Sequence, residues 1–236
     1  MADAETLRAR FATTAGRVAE LEEARRSDLA GRVARFVEAG GEERALDAGT
    51  GTGALAFALA PIVAEVVGVD LVPELLDEAR KRAGDFPNVS FVEGDVTKLP
   101  ADLGEFDLSG SMRTLHHVSR PELAVSELAR VTRRGGRILV VDQLAPNDPL
   151  DALDLNRFER ARDSTHARTL ADADFRHLFE ANDLRLVRSA FHEEKRDMER
   201  YLDLAGCEGD ERSRALDAAP GGNSYTVTIG WYLLAR

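Results

Sequence analysis

The sequence predicts an α/β fold in which a mainly parallel sheet carries helices on both faces and a helical cap at its N-terminal end. From residue 44 onward, short apolar runs typical of strands alternate with helical patterns, and this alternation implies parallel pairing with right-handed crossovers. The first forty residues show helical periodicity alone. No proline- or serine-rich linker interrupts the 236 residues, a length that one α/β domain commonly reaches. We therefore expect a single domain over residues 1–236.

The composition argues against several classes of protein. Hydrophobic residues make up 44% and charged residues 31% of the chain, which is typical of a globular protein and not of a disordered one. The net charge of -11 disfavours nucleic-acid binding, which needs a basic stripe. Apolar stretches fall short of the roughly 18 residues of a membrane span, and the N-terminus is charged where a signal peptide is apolar. Because Cys207 is the only cysteine, we expect a cytoplasmic protein.

The N-terminal cap is predicted to contain two helices. Apolar residues recur at helical spacing over 7–21 and again over 29–37. Gly40 and Gly41 then end the second helix. Since no linker follows, residues 1–40 are expected to pack on the next unit of the chain.

Strands and helices alternate through the middle of the chain. Apolar runs bounded by polar or turn residues predict strands at 44–47, 64–70, 89–93, 106–109 and 137–143. Helical patterns between them predict helices over 53–60, 73–83 and 121–132. For the last of these, Ser119 and Glu122 have capping-box spacing and Pro121 stands in the first turn.

The pattern changes after the fifth strand. Residues 144–168 form a long connection of the kind that is often a functional lid. Thr169 and Asp172 frame the start of a further helix that stops near Asn182, and strands at 184–191 and 224–234 follow, separated by two short helices.

A glycine-rich turn at 47–53 lies between the first strand and its helix. Backbone N–H groups and the helix N-terminus face the crevice there, and glycines allow a ligand to approach the main chain closely. Asp70 ends the next strand, about twenty residues on, where a carboxylate binds ribose hydroxyls. The combination indicates an adenosine-type ligand. The glycine motif alone is ambiguous, because Gly49, Gly51 and Ala54 also satisfy the dinucleotide fingerprint.

Five segments, in order and at the right spacing, resemble the motifs of the class I S-adenosylmethionine-dependent methyltransferases. The segments are 45–53, 67–74, 91–96, 106–118 and 128–142. The pattern is most similar to small-molecule enzymes of the ubiquinone/menaquinone-biosynthesis type, strongly over 42–143 and more loosely afterwards. The resemblance implies a Rossmann-like sheet of seven strands, in which residues 224–234 insert antiparallel beside the sixth strand. It further implies a cofactor-binding half at 42–143, with a substrate lid and sheet-closing strands at 144–236.

The same resemblance implies that the cofactor is S-adenosyl-L-methionine. Asp70 would bind the ribose, and Asp95 would contact the adenine amino group. The full set of cofactor residues implied by the motifs is Asp47, Gly49, Thr50, Gly51, Gly53, Asp70, Leu71, Asp95, Val96, Ser111 and Met112.

Methyl transfer from a sulfonium neutralises charge, so the protein contributes mainly orientation and exclusion of water, effects worth about 7–11 kcal/mol. A base is needed only where the acceptor arrives protonated. His116 and His117 follow the fourth strand, where relatives face donor and acceptor, and histidine titrates near neutral pH. We hypothesise that His117 is a catalytic base or orients the acceptor, with His116 as the second candidate. A purely structural role for either imidazole remains open.

Residues predicted to contact the acceptor are Phe11, Arg113, Asp142 and His166. For Arg113 a solvated face, for Asp142 the start of a loop and for His166 an exposed loop position are the alternatives. The fourth strand ends in Ser109, Gly110 and Ser111 rather than in clustered carboxylates, so we expect no metal.

The function predicted is methyl transfer from S-adenosylmethionine to a small-molecule acceptor. One alternative is a methyltransferase-like fold that binds the donor without transfer, as a scaffold or as a cyclase or isomerase. A nicotinamide-dependent oxidoreductase is a further alternative, against which stand Asp47, Asp95 and the expected antiparallel last strand. No nucleic-acid partner and no membrane span are expected, and the sequence contains no signal for the oligomeric state.

Overall fold

Within residues 4–236, the part of the chain that this computed structural model describes, seven strands form one sheet. They are β1 (Arg44–Ala48), β2 (Glu65–Asp70), β3 (Val89–Glu93), β4 (Phe106–Met112), β5 (Thr132–Leu144), β6 (Arg185–Asp197) and β7 (Ser224–Ala235). Their order is β3-β2-β1-β4-β5-β7-β6. The first five strands pair in parallel, and β7 is antiparallel to both β5 and β6. The predicted sheet, including its antiparallel last strand beside the sixth, is confirmed.

Helices cover both faces of the sheet. They are α1 (Ala4–Ala12), α2 (Ala15–Val37), α3 (Ala54–Leu59), α4 (Pro73–Arg82), α5 (Pro121–Val131), α6 (Pro149–Arg162), α7 (Asp172–Glu180), α8 (Met198–Leu204) and α9 (Gly209–Ala218). Alternate residues of a strand point to opposite faces: Ala45 of β1 joins the core beneath α2, α3 and α8, whereas Leu46 joins the core beneath α5 and α7. None of the helices in residues 4–236 is long and apolar enough to cross a membrane.

The break between the two N-terminal helices lies earlier than the sequence pattern predicts. The expected boundary between 21 and 29 is wrong, because α2 runs unbroken from Ala15 to Val37. The chain instead turns at Thr13 and Thr14, where Thr13 Oγ1 donates to the Arg10 carbonyl at 3.0 Å and the Thr14 amide donates to the Phe11 carbonyl at 3.1 Å. Threonine hydroxyls that bond to nearby backbone in this way compete with a continuing helix.

Two further local expectations are corrected. The capping box at Ser119 is absent, since α5 begins at Pro121 after Arg120, whose side chain makes no capping bond. The fourth strand continues to Met112 instead of ending at 109, and the fifth already begins at Thr132 instead of at 137. Pairing with neighbouring strands extends both elements beyond what their own sequence indicates.

The long connection at 144–168 contains α6, which ends in a buried cluster of charged and aromatic groups. Glu159 of this helix is 1% exposed. It accepts hydrogen bonds from Arg162 at 3.0 Å, Gln143 at 3.0 Å and Tyr225 at 2.9 Å. Arg196 of β6 lies 3.9 Å from the same carboxylate. The cluster therefore ties α6 to β5, β6 and β7.

Candidate active site

A cavity of about 310 Å³ opens beyond the carboxyl ends of β1, β2 and β4. In open α/β sheets ligands bind at this edge, where the strand order reverses, and here the order reverses between β1 and β4. The cap contributes Leu7, Phe11, Val18 and Glu22 to the wall. The rest of the wall comes from the glycine turn and from the segments that follow β2, β3 and β4.

The glycine turn has a conformation that its sequence requires. Gly49 has φ +78° and Gly53 has φ +95°, values that residues with a side chain rarely adopt. A Cβ atom on Gly49 would lie 2.3 Å from the side chain of Thr114, and one on Gly53 would lie 2.5 Å from the ring of Phe57. The amides of Gly49 and Thr50 donate to the Val69 carbonyl at 2.8 and 3.0 Å. The turn is thus held against β2 with its backbone open to a ligand.

Asp47 is a buried carboxylate whose two oxygens differ in their surroundings. Its Oδ2 accepts hydrogen bonds from Thr50 Oγ1 at 2.7 Å and from the Ala56 amide, in the first turn of α3, at 3.0 Å. Its Oδ1 has no hydrogen-bond partner within residues 4–236, although the residue is only 1% exposed and lines the cavity. Burial raises the pKa of Asp47 to about 7. A cationic donor from a ligand would complete this site.

Asp70 fixes the other side of the turn. Its Oδ2 accepts from the Gly51 amide at 2.8 Å and its Oδ1 from the Val72 amide at 2.9 Å. Burial raises the pKa of this carboxyl too, against those hydrogen bonds. The amides of Gly51 and Ala56, which a pyrophosphate would use in a dinucleotide site, therefore already bind carboxylates. This arrangement favours a positively charged adenosine ligand over a nicotinamide dinucleotide.

The other predicted cofactor residues are placed as follows. Leu71, Val96 and Met112 line the cavity together with Asp95, whose Oδ1 accepts from the Thr97 amide at 2.8 Å. Gly53 and Ser111 lie outside the wall; the Ser111 hydroxyl is buried and has no hydrogen-bond partner in the described part of the chain.

Glu22 is a residue of the wall that no sequence motif identified. It lies on α2 and accepts a hydrogen bond from Thr52 Oγ1 of the glycine turn. Burial raises the pKa of the Glu22 carboxyl. The signal in the sequence is its position one helical turn after Val18, on the side of the cap that faces the cavity.

His117 stands at the cavity in a short turn after β4 and is held from behind. Its Nδ1 lies 3.1 Å from Thr165 Oγ1, and that hydroxyl donates its one proton to Asp163 Oδ1 at 2.7 Å. Nδ1–H must therefore be the donor, which assigns the lone pair to Nε2. Burial, together with the neighbouring His116, lowers the pKa of His117 to about 4. The imidazole is neutral at pH 7 and can accept a proton.

His116 lies behind His117, with the ring centroids 4.3 Å apart. Its Nδ1 donates to Asp142 Oδ1 at 2.6 Å, and its amide donates to Asp142 Oδ2 at 3.2 Å. Burial acts to raise the pKa of Asp142, but the imidazole of His116 outweighs it, and the pKa is lowered. Asp142 thereby orients His116, and neither residue belongs to the cavity wall.

Among the predicted acceptor residues, Phe11 and Arg113 line the cavity, whereas Asp142 and His166 do not. Phe11 meets the His117 ring edge-on, with centroids 5.3 Å apart. Arg113 pairs with Glu194 of β6 at 2.9 Å. His166 is buried and bonded to Asn156 Oδ1 at 3.2 Å. Residues 163–168 thus lie behind the two other histidines instead of over the cavity.

Across residues 4–236, no three His, Cys, Asp or Glu side chains are placed to hold a metal ion together. The absence of a metal from the reaction stays a prediction.

A family comparison agrees with this geometry. Residues 46–140 match the family model described as a methyltransferase domain. The chain contains a methyltransferase domain. The cavity lies at the edge of this domain, which supplies Asp47, Asp70 and the histidine pair, while the cap and the later strands come from outside it. The resemblance predicted from the motifs is confirmed.

Relatives of the methyltransferase domain are found in several bacteria. An uncharacterized methyltransferase of Bacillus subtilis (strain 168), YcgJ, is 36% identical over 152 residues, which are 64% of this chain and 60% of the relative. A demethylmenaquinone methyltransferase of Clavibacter sepedonicus is 38% identical over 108 residues, which are 46% of this chain and 44% of the relative. The chain therefore spans less than two thirds of the length of these curated relatives.

Solved structures extend the similarity beyond the methyltransferase domain. The crystal structure of YcgJ from Bacillus subtilis has a TM-score of 0.81 at 26% identity, covering 89% of this chain and 99% of that one. A putative methyltransferase from Bacillus halodurans C-125 has a TM-score of 0.78 at 26% identity, covering 88% and 97%. The predicted fold class is confirmed over most of the chain.

Proposed function

We propose that this protein is an S-adenosylmethionine-dependent methyltransferase of one catalytic domain that acts on a small-molecule acceptor. The observation that carries the proposal is the acidic glycine turn. Two buried carboxylates, Asp47 and Asp70, occupy the amides that a phosphate ligand would need, and one Asp47 oxygen has no partner among the described residues. Such a site suits an adenosine ligand that carries positive charge.

The residues present fit the donor. Asp70 would hold the ribose hydroxyls, and Asp95 the adenine amino group. Asp47 and the open backbone at Gly49 would hold the amino-acid portion, with Leu71 giving apolar contact. When bound, the donor supplies an electrophilic methyl group on a positively charged sulfur.

The side of the cavity that would hold the methyl acceptor combines apolar walls with the imidazole of His117, which can take a proton. Phe11, Val18 and Val118 line this side. Their side chains would exclude water and would help to hold the reacting groups in line. The Nε2 atom of His117 would take the proton of a hydroxyl, phenol or carbon acid. Arg113 would bind an acidic group of the acceptor by giving up its ion pair with Glu194. Thr165 and Asp142 act through the histidines as positioning residues.

Ligand binding followed by turnover tests the proposal. In calorimetry, S-adenosylmethionine and S-adenosylhomocysteine should bind more tightly than about 100 μM, about -5.5 kcal/mol, and NADH should not bind. Asp70→Ala should abolish binding. Transfer of a labelled methyl group to a panel of acceptors then tests catalysis. Tight donor binding without turnover on any acceptor would favour the non-transferring alternative, and binding of NADH alone would favour an oxidoreductase.

The raised pKa of Asp47 predicts how donor binding depends on pH. In the free protein this carboxyl is protonated below about pH 7, whereas a cationic ligand requires its ionised form. Donor affinity should therefore rise between pH 6 and pH 8, and binding at pH 6 should release a proton. Calorimetry at pH 6 in buffers of different ionisation enthalpy measures that release. An equal pH slope in Asp47→Asn would show that another group is responsible.

The single cysteine and the net charge of -11 support two further parts of the proposal, a location in the cytoplasm and an acceptor that is not a nucleic acid. A chain without a possible intrachain disulfide suits the reducing cytoplasm. A strongly acidic chain suits a small-molecule acceptor better than a nucleic acid.

A further inference from the structure

Besides Asp47, Asp70 and Asp95, the cavity wall has a fourth carboxylate, which comes from the cap. Glu22 of α2 lines the same wall as Asp47 and Asp70, which belong to the methyltransferase domain. Its hydrogen bond from Thr52 Oγ1 places it across the glycine turn from Asp70. Carboxylates from two separate parts of the chain thus converge on one ligand cavity.

Within residues 4–236, little positive charge is free to balance Glu22. The guanidinium groups that act on it are those of Arg113 and Arg82. Arg113 already pairs with Glu194 at 2.9 Å, and Arg82 pairs with Glu78 at 2.5 Å. The charge of each arginine is therefore largely committed elsewhere, and the wall keeps a net negative charge.

Asp47 supplies an independent sign that a ligand completes this wall. Its Oδ1 is buried and has no hydrogen-bond partner among the residues that the structure describes, and Asp47 lines the cavity. A buried polar atom without a partner costs free energy, and native structures seldom leave one unless a ligand, ion or water supplies the bond. The missing partner is a hydrogen-bond donor, and in a wall that also contains Glu22 and Asp70 a cationic donor is favoured most.

We infer that Glu22 makes the cavity select ligands that carry a positive charge beside the glycine turn. This inference rests on the proposed function, since the charge would be the ammonium or the sulfonium of S-adenosylmethionine. A charge interaction in a cavity poor in water is stronger than one in solvent. The adenosine portion gains nothing from it, because Asp70 and Asp95 hold that portion separately.

Glu22→Gln tests the inference, because glutamine keeps the shape and can still accept the hydrogen bond from Thr52 while it removes the charge. Glu20→Gln, an exposed position on the same helix, is the matched control. Calorimetry would use S-adenosylmethionine, S-adenosylhomocysteine and the neutral 5′-methylthioadenosine. We expect Glu22→Gln to weaken the binding of S-adenosylmethionine about tenfold, or ~1.4 kcal/mol, and to leave the affinity for 5′-methylthioadenosine unchanged. The control should change neither.

S-adenosylhomocysteine, which keeps the ammonium but has a thioether in place of the sulfonium, shows which of the two charges Glu22 binds. If binding of S-adenosylhomocysteine is weakened as much as binding of S-adenosylmethionine, Glu22 interacts with the ammonium. If binding of S-adenosylhomocysteine is unaffected, Glu22 interacts with the sulfonium. Equal weakening of 5′-methylthioadenosine, or undiminished binding of S-adenosylmethionine, would overturn the inference alone. If wild-type protein binds none of the three ligands, the proposed function falls, and the inference falls with it.

Discussion

Replacing His117 by alanine should lower the rate of methyl transfer to a proton-bearing acceptor by about 10²–10⁴-fold, the usual contribution of a positioned base. The imidazole lines the cavity with its Nδ1 committed to Thr165, so Nε2 is the ring nitrogen that can take the proton. Because its pKa is lowered to about 4, the residue is already in the accepting form at pH 7. Transfer of labelled methyl to the acceptor found in the screen measures the effect.

Two controls separate catalysis from folding in this experiment. Donor affinity of His117→Ala should equal that of the wild type, since the donor is held by the glycine turn and Asp70. His177→Ala, at an exposed position of α7, should leave the rate unchanged. A His117→Ala protein that binds donor normally and methylates the acceptor at the wild-type rate would exclude a catalytic role for this residue.

Replacing Glu159 by alanine should reduce the free energy of unfolding by about 3–5 kcal/mol, the cost of breaking a buried ion pair. The change leaves the guanidinium groups of Arg162 and Arg196 buried near an absent counter-charge. It also removes the acceptor for Gln143 and Tyr225. Urea denaturation at pH 7 measures the loss, and Asp154→Ala, exposed on the same helix, should cost little.

The difference between wild type and Glu159→Ala should depend on pH. Burial acts to raise the pKa of Glu159, but Arg162 and Arg196 outweigh it and lower the pKa to about 2, from 4.5. A carboxyl with a lowered pKa stabilises the fold above its unfolded pKa and loses that contribution as pH falls. The two proteins should therefore converge in stability between about pH 4.5 and pH 2. A gap that stays constant over this range would mean that lost packing, not charge, accounts for the effect.

Much of the fold follows from patterns that are local in the chain. Apolar periodicity located β1, β2 and β3 to within one residue, and the spacing between the glycine turn and Asp70 was enough to indicate an adenosine ligand. The pattern failed where neighbouring strands or local hydroxyls decide the outcome. β4 and β5 are extended by their mutual pairing, and the helix break at Thr13 and Thr14 depends on bonds to the preceding turn.

The sequence by itself thus determined the α/β class, the sheet-edge turn and the carboxylate at Asp70, because each depends on periodicity or on short-range spacing. Only the tertiary structure placed Glu22 against Thr52, 30 residues away, and Thr165 against His117, 48 residues away. It also placed His166 behind the other histidines, with the connection at 163–168 as their support. Such contacts join residues that are brought together by packing of the whole chain, and no spacing within a single segment specifies them.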